Sequence, residues 1–229
     1  MHYIEAVGDS MQIPIQMERK QSLEEEFANS ISHGFGILFS IIAISLLVTF
    51  SVLNGNALDI VSCTIFGGSI LLLYTFSTLY HATQEARIKA WLRTFDHIGI
   101  YFLIAGTYTP FLMMAVGGTL GWVFFGIVWG LALFGIVFKV FYTHRFKRAS
   151  LVLYLGMGWM GVLLVKPMLA SLSTYALTLV AAGGISYTLG TIFYTRTQMR
   201  FAHTVWHVFV LAGTILHFIA IMDMLLARQ

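Results

Sequence analysis

Ser77 and His81 stand four residues apart, as do His203 and His207. Residues at that spacing share one face of a helix and lie about 6 Å apart along its axis. Asp96 is a lone carboxylate beside an apolar run. If the helices that carry these residues are neighbours, three histidines, one carboxylate and one hydroxyl converge. Zinc accounts for such a set, because it binds neutral imidazole well and three histidines leave an open fourth position. Zinc also lowers the pKa of a bound water to about 7, which makes hydroxide available at neutral pH. Asp96 would then take a proton from that water, hydrogen-bond it, or orient a ligand histidine from behind. Ser77 is suited to hydrogen-bond the water or a polarised carbonyl. A single histidine in a membrane helix is more often a helix–helix hydrogen bond than a ligand. The combination carries the inference, since each buried polar group is costly in lipid.

The remaining histidines read differently. His33 lies one helical turn after Asn29 and reads as a structural hydrogen bond or as support behind the site. His97 directly follows Asp96 and is expected on another face. His217 is 14 residues beyond His203, about 21 Å deeper, so it cannot share the same ion and reads as structural. His2 and His144 fall in polar segments and read as solvated. Pro110 removes a backbone donor from its helix and predicts a kink. Gly67-Gly68 and Gly183-Gly184 read as close helix packing.

The elements that position these residues follow from composition. Of the 229 residues, 58% are hydrophobic and 10% charged, against roughly 25% charged in soluble proteins. Lipid must be the solvent for most of the chain. Seven apolar runs, near 29–53, 58–81, 94–116, 119–142, 149–166, 172–195 and 201–225, are long enough to span as helices and lack the short alternation of barrel strands. The reading is an all-α integral membrane protein, a seven-transmembrane helix bundle. A polar tail occupies 1–28, with a helix starting near Ser22 at a capping box with Glu25, and 226–229 form a C-terminal tail. Breaks are expected at Asn54-Gly-Asn56, Gln84–Arg93, Gly117-Gly118, His144–Arg148, Lys166-Pro167 and Thr195–Arg200.

With a cytoplasmic N-terminus, eleven of the thirteen Lys and Arg residues fall on or near the cytoplasmic side, and only Lys166 and Arg228 fall outside. The basic balance therefore faces anionic lipid, and no nucleic-acid partner is needed. Cys63 is the only cysteine, so neither an intramolecular disulfide nor a thiolate zinc site is available. By span parity, the polar ends of the second, third and seventh helices lie near one membrane face. On that face His81 and His203 are nearest the cytoplasm, and Ser77 and His207 one turn deeper.

Several segments also carry a family resemblance: Glu25-Glu-Phe-Ala-Asn-Ser-Ile-Ser-His33-Gly, Ser77-Thr-Leu-Tyr-His81, the run from Phe95-Asp-His97 to Thr-Tyr-Thr-Pro110, and His203-Thr-Val-Trp-His207. In this combination and order the chain resembles the hemolysin III family, the bacterial branch of the progestin and adipoQ receptor superfamily, over nearly its whole length. The resemblance implies a seven-helix fold with a cytoplasmic N-terminus and a zinc ion on His81, His203 and His207. In the wider superfamily, which includes adiponectin receptors and resembles alkaline ceramidases, the residues matching Asp96 and Ser77 lie by the zinc-bound water.

Three functions compete on this reading. The first is a zinc-dependent intramembrane hydrolase of a lipid-like amide or ester, with Asp96 and Ser77 catalytic. The second is a membrane sensor or regulator of lipid state with structural zinc, and the third a pore-forming, hemolysin-like protein. Membrane lipids are the expected partners and the bacterial inner membrane the expected location; the sequence sets no oligomeric state.

Overall fold

The computed structural model describes residues 19–142 and 146–228; His2, His144 and most of the polar tail lie outside them. The described residues form helices and short connections, with no strand among them. Helix α1 runs Leu23–Asn54, α2 Ala57–Ala82, α3 Ala86–Pro110, α4 Gly118–Tyr142, α5 Lys147–Trp159, α6 Val165–Ser171, α7 Thr174–Thr195 and α8 Ala202–Leu226. A π turn, Phe111–Val116, extends α3, and a 3₁₀ segment, Met160–Leu164, joins α5 to α6 in one span. Seven helical stretches are thus long and apolar enough to cross a membrane.

Local chemistry sets the ends. Ser22 caps α1 by accepting from Glu25 N, and the Glu25 carboxylate accepts from Ser22 N in return. Asn56 and Asp59 make the same reciprocal cap on α2. Gly117 and Gly118, at φ +64° and +53°, make the turn into α4, where a side chain would be strained.

Two expected breaks are corrected. Gln84–Arg93 is mostly helix, because Glu85 accepts from Arg87 N and Ile88 N and opens α3 eight residues early. Those two bonds also hold the exposed Glu85 carboxyl below the usual carboxylate range. Asp96 is therefore not in the first turn of its helix. Lys166-Pro167 is not a break either. Pro167 sits in the first turn of α6, where a missing N–H costs nothing, and the chain turns at Leu172, with Ser173 capping α7. At Pro110 the ladder loses a donor, and the chain continues as the wider π turn.

Helix α1 packs on both α2 and α8, α2 packs on α3, and α7 packs on α8. The buried face of α1 is unusual: it carries Glu25, Asn29, His33, Gly36, Ser40, Ala43, Leu47 and Ser51, while Phe27, Phe35, Leu38, Ile42 and Leu53 point outward. Lipid rewards that inversion, since polar groups can be satisfied only inside the bundle. Close approach depends on small residues: a Cβ on Gly36 would lie 2.5 Å from the Tyr74 ring, and one on Gly67 2.7 Å from Ile44. Gly68 and Gly184 meet nothing, so each expected glycine pair holds only one packing residue.

Gly36→Ala should therefore cost about 1–3 kcal/mol through overpacking. Gly34→Ala, with nothing within 4 Å of the new methyl, should be neutral or slightly stabilising. Thermal melts in detergent compare the two, and equal melting would remove the packing argument.

Candidate metal centre

The ring nitrogens of His81, His203 and His207 offer one ligand atom each, all within 4.8 Å of one another. Their ring centroids are 5.1, 5.1 and 4.6 Å apart. His81 comes from the last turn of α2, and the other two from the first two turns of α8. These helices meet over α1, and α1 supplies most of the contacts that orient the rings.

His81 Nδ1 donates to Glu26 Oε2 at 2.7 Å, and its Nε2 is buried without a hydrogen-bond partner. Glu26 also pairs with Lys89 at 3.1 Å, and Lys89 donates to Tyr80 O and Thr83 O at the end of α2. His207 Nδ1 lies 3.2 Å from Asn29 O and 3.0 Å from Ser32 Oγ. A carbonyl only accepts, so that nitrogen carries the proton. In both rings Nδ1 is occupied and the Nε2 lone pair is left for another group.

Asn29 joins the elements. Its Oδ1 accepts from Thr204 Oγ1 at 2.5 Å, and its Nδ2 donates to Gln21 Oε1 at 2.9 Å and approaches His81 Nδ1 at 3.5 Å. One turn earlier, Glu25 clasps Arg19 at 2.8 and 2.5 Å and accepts from Phe201 N at 2.9 Å. Phe201 holds a left-handed φ of +57° just before α8, a conformation costly for a bulky residue. The Glu25 contact fixes that entry two residues ahead of His203.

Asp96 does not belong to the 4.8 Å group, which among the described residues comprises the three histidines. It lines a cavity of about 520 Å³ that His33, His203 and His207 also line. Ser77 is fully buried, one turn from His81 on α2, and its hydroxyl has no partner. His33 stacks on His207 at 3.5 Å between centroids, 12° from parallel, and neither of its ring nitrogens has a partner. It is thus not the hydrogen-bonded structural residue expected from sequence. His97 lines the same cavity as Asp96, with Nδ1 2.5 Å from Arg93 O and 3.8 Å from Asp96 Oδ2, instead of facing elsewhere. His217 donates from Nε2 to Val180 O at 3.1 Å, a structural bond as read.

Glu26, Asn29 and Ser32 were not singled out from sequence. Glu26 reads there as one acid of a polar tail. The available signal was the Asn29, His33, Gly36, Ser40 spacing, which places small and polar residues on one helical face.

A seven-span helical bundle with a histidine cluster buried at one end is a multi-pass membrane protein with a preformed polar centre. Comparison with known sequences names the group: the chain belongs to the haemolysin-III related family, whose family model matches residues 21–218. It is 49% identical over 201 residues to the hemolysin-3 homolog of Bacillus subtilis, covering 88% of this chain and 94% of that protein. It is 41% identical over 202 residues to hemolysin-3 of Bacillus cereus, covering 88% and 92%. Similarity extends to the human monocyte to macrophage differentiation factor, at 30% over 216 residues, covering 91% and 87%. No solved structure is a significant match.

Asn29→Leu should destabilise the protein by roughly 1–3 kcal/mol, because it leaves the buried partners of Asn29 unpaired. A melt of that variant in detergent that matches wild type would remove Asn29 from its joining role.

Proposed function

We propose that the chain is an intramembrane hydrolase of a lipid-like amide or ester, with zinc held by His81, His203 and His207. The observation that carries the reading is the three-histidine group, two of whose members, His203 and His207, line a cavity that also presents Asp96. The donor set suits zinc: the His81 Nε2 lone pair is buried and unpartnered, and Glu26 behind its Nδ1 is the kind of carboxylate that orients a ligand imidazole. Zinc bound there supplies a Lewis acid that polarises a carbonyl and acidifies a water.

The chain's own residues supply the rest. Asp96, outside the ligand group yet in the cavity wall, takes up the proton at its carboxylate. Ser77 lies behind the cavity wall, one turn from His81, and its buried, unpartnered hydroxyl would donate to the oxygen on which negative charge develops when that oxygen is held at the histidines. The cavity below is walled mainly by Leu, Ile, Val, Met and aromatic side chains, and it suits an acyl chain. On its α5–α7 side the wall contains Gly158 and Gly184, where an added Cβ would meet no atom within 4 Å. We place the entry for a lipid from the bilayer on that side. The basic residues favour a cytoplasmic N-terminus, with the centre at headgroup depth of the inner leaflet of a bacterial inner membrane.

A structural zinc serving a lipid sensor calls for a fourth protein ligand, and the described residues group only three donors. A pore calls for polar residues through the whole depth, whereas the cavity wall beyond the histidines is largely apolar.

Elemental analysis of purified protein should find zinc in wild type and none in His203→Ala/His207→Ala, and equal zinc in both would overturn the ligand assignment. Glu26→Gln should retain the fold and weaken zinc binding by roughly 10–100-fold, read by chelator competition. With fatty amides and esters as substrates, Asp96→Asn should keep its zinc and lose at least about 100-fold in turnover. Wild-type rates in that variant would remove Asp96 from the chemistry, and no turnover by zinc-loaded wild type on any such lipid would sink the hydrolase reading.

A further inference from the structure

His217 and Thr107 line the far end of the cavity, and each holds a buried polar atom with no partner in the protein. His217 lines the cavity and uses Nε2 on Val180 O. Because a carbonyl cannot donate, the proton sits on Nε2 and Nδ1 is a bare acceptor. This tautomer is the reverse of that in His81 and His207. Nδ1 is buried and has no partner.

Thr107 lines the same cavity, is 8% exposed, and its Oγ1 is buried and unpartnered. The two residues belong together. Phe111, four residues after Thr107 at the start of the π turn that extends α3, packs edge-on against His217 at 6.1 Å between ring centroids. Their depths agree as well. His217 is ten residues beyond His207 and Thr107 eleven beyond Asp96, on two spans that run the same way, so both lie about 15–17 Å deeper than the polar centre.

Other hydroxyls of the wall are engaged. Tyr108 bonds Gly158 O, Tyr187 bonds Thr214, Thr188 bonds Gly184 O and Thr191 bonds Thr188 O. An acceptor and a hydroxyl left unpaired in an apolar chamber each carry a desolvation cost of about 1–3 kcal/mol, which a suitable guest would relieve. The guest group must donate to His217 Nδ1 and must be neutral, because Asp96 is the only Asp, Glu, Lys or Arg among the lining residues. A hydroxyl meets both demands and also pairs with the Thr107 hydroxyl.

We propose that Thr107 and His217 form a hydroxyl-binding subsite, selecting chains that carry a hydroxyl about 15 Å from the group held at the histidine centre. The proposal rests on the lipid reading of the cavity and names a narrower class within it, hydroxylated acyl chains.

The test uses two ketone analogues of equal chain length, which offer a carbonyl and no scissile bond. One carries a hydroxyl about 15 Å from the carbonyl, and the other is unsubstituted. Their binding to the purified full-length protein in lipid nanodiscs is measured by calorimetry. The hydroxylated chain should bind wild type roughly tenfold more tightly, the size of one hydrogen bond to a buried group otherwise left unpaired. That preference should fall in the isosteric Thr107→Val and in His217→Phe, which keeps an aromatic ring against Phe111. Should His217→Phe fail to fold, Thr107→Val decides alone. Equal binding of both chains to wild type, or a preference that survives either substitution, overturns the subsite while leaving the lipid reading intact. If neither chain binds, both fall together.

Discussion

Lipid offers no hydrogen bonds, so a spanning helix turns its polar side chains toward the protein; the hydroxyls can use a carbonyl of their own helix, and the larger polar groups need another helix. That constraint organises the bundle. Helix α1 turns its polar residues inward, and Glu25, Glu26, Asn29 and Ser32 each find partners beyond their own helix: Arg19 and Phe201, His81 and Lys89, Thr204, and His207. The histidines do not hold the bundle together by themselves. They are positioned by a helix that donates none of the three clustered nitrogens.

The span count, the helical class and the convergence of His81, His203 and His207 were legible in the sequence, because apolar run length and four-residue spacing are one-dimensional signals. What orients those histidines was not. Glu26 reads as one more acid in a charged stretch, and only the three-dimensional meeting of α1 with α2 brings it to His81 Nδ1. Helix ends escaped for a related reason. The charges at 84–93 suggest a loop, yet Glu85 caps a helix through them, and Pro167 suggests a stop although it occupies a first-turn position that tolerates it. His33 has a type and spacing that suggest a structural bond, and only its parallel stacking on His207 shows that it has none.

Two polar levels follow from the same helix directions. Near one face the proton positions in His81 and His207 leave both Nε2 lone pairs free, in a group whose ligand nitrogens lie within 4.8 Å of one another; about 15 Å deeper, His217 is fixed in the opposite tautomer by Val180 O. A cavity polar at both ends and apolar between them measures a guest by length as well as by chemistry. The span that forms much of its wall, α5 with the 3₁₀ segment and α6, is tied to α3 by two tyrosines: Tyr108 Oη donates to Gly158 O and accepts from Gly161 N, both at 2.7 Å, and Tyr154 Oη donates to His97 O at 3.0 Å.

The clasp between Glu25 and Phe201 has a consequence for biogenesis. Helix α1, made before α8, carries the carboxylate that seats α8, and two of the three clustered histidines arrive on α8. Until the final span inserts, His81 and Glu26 face each other with no companions, and an incomplete chain cannot gather the cluster. The three histidines thus come together only once α8 has packed against α1.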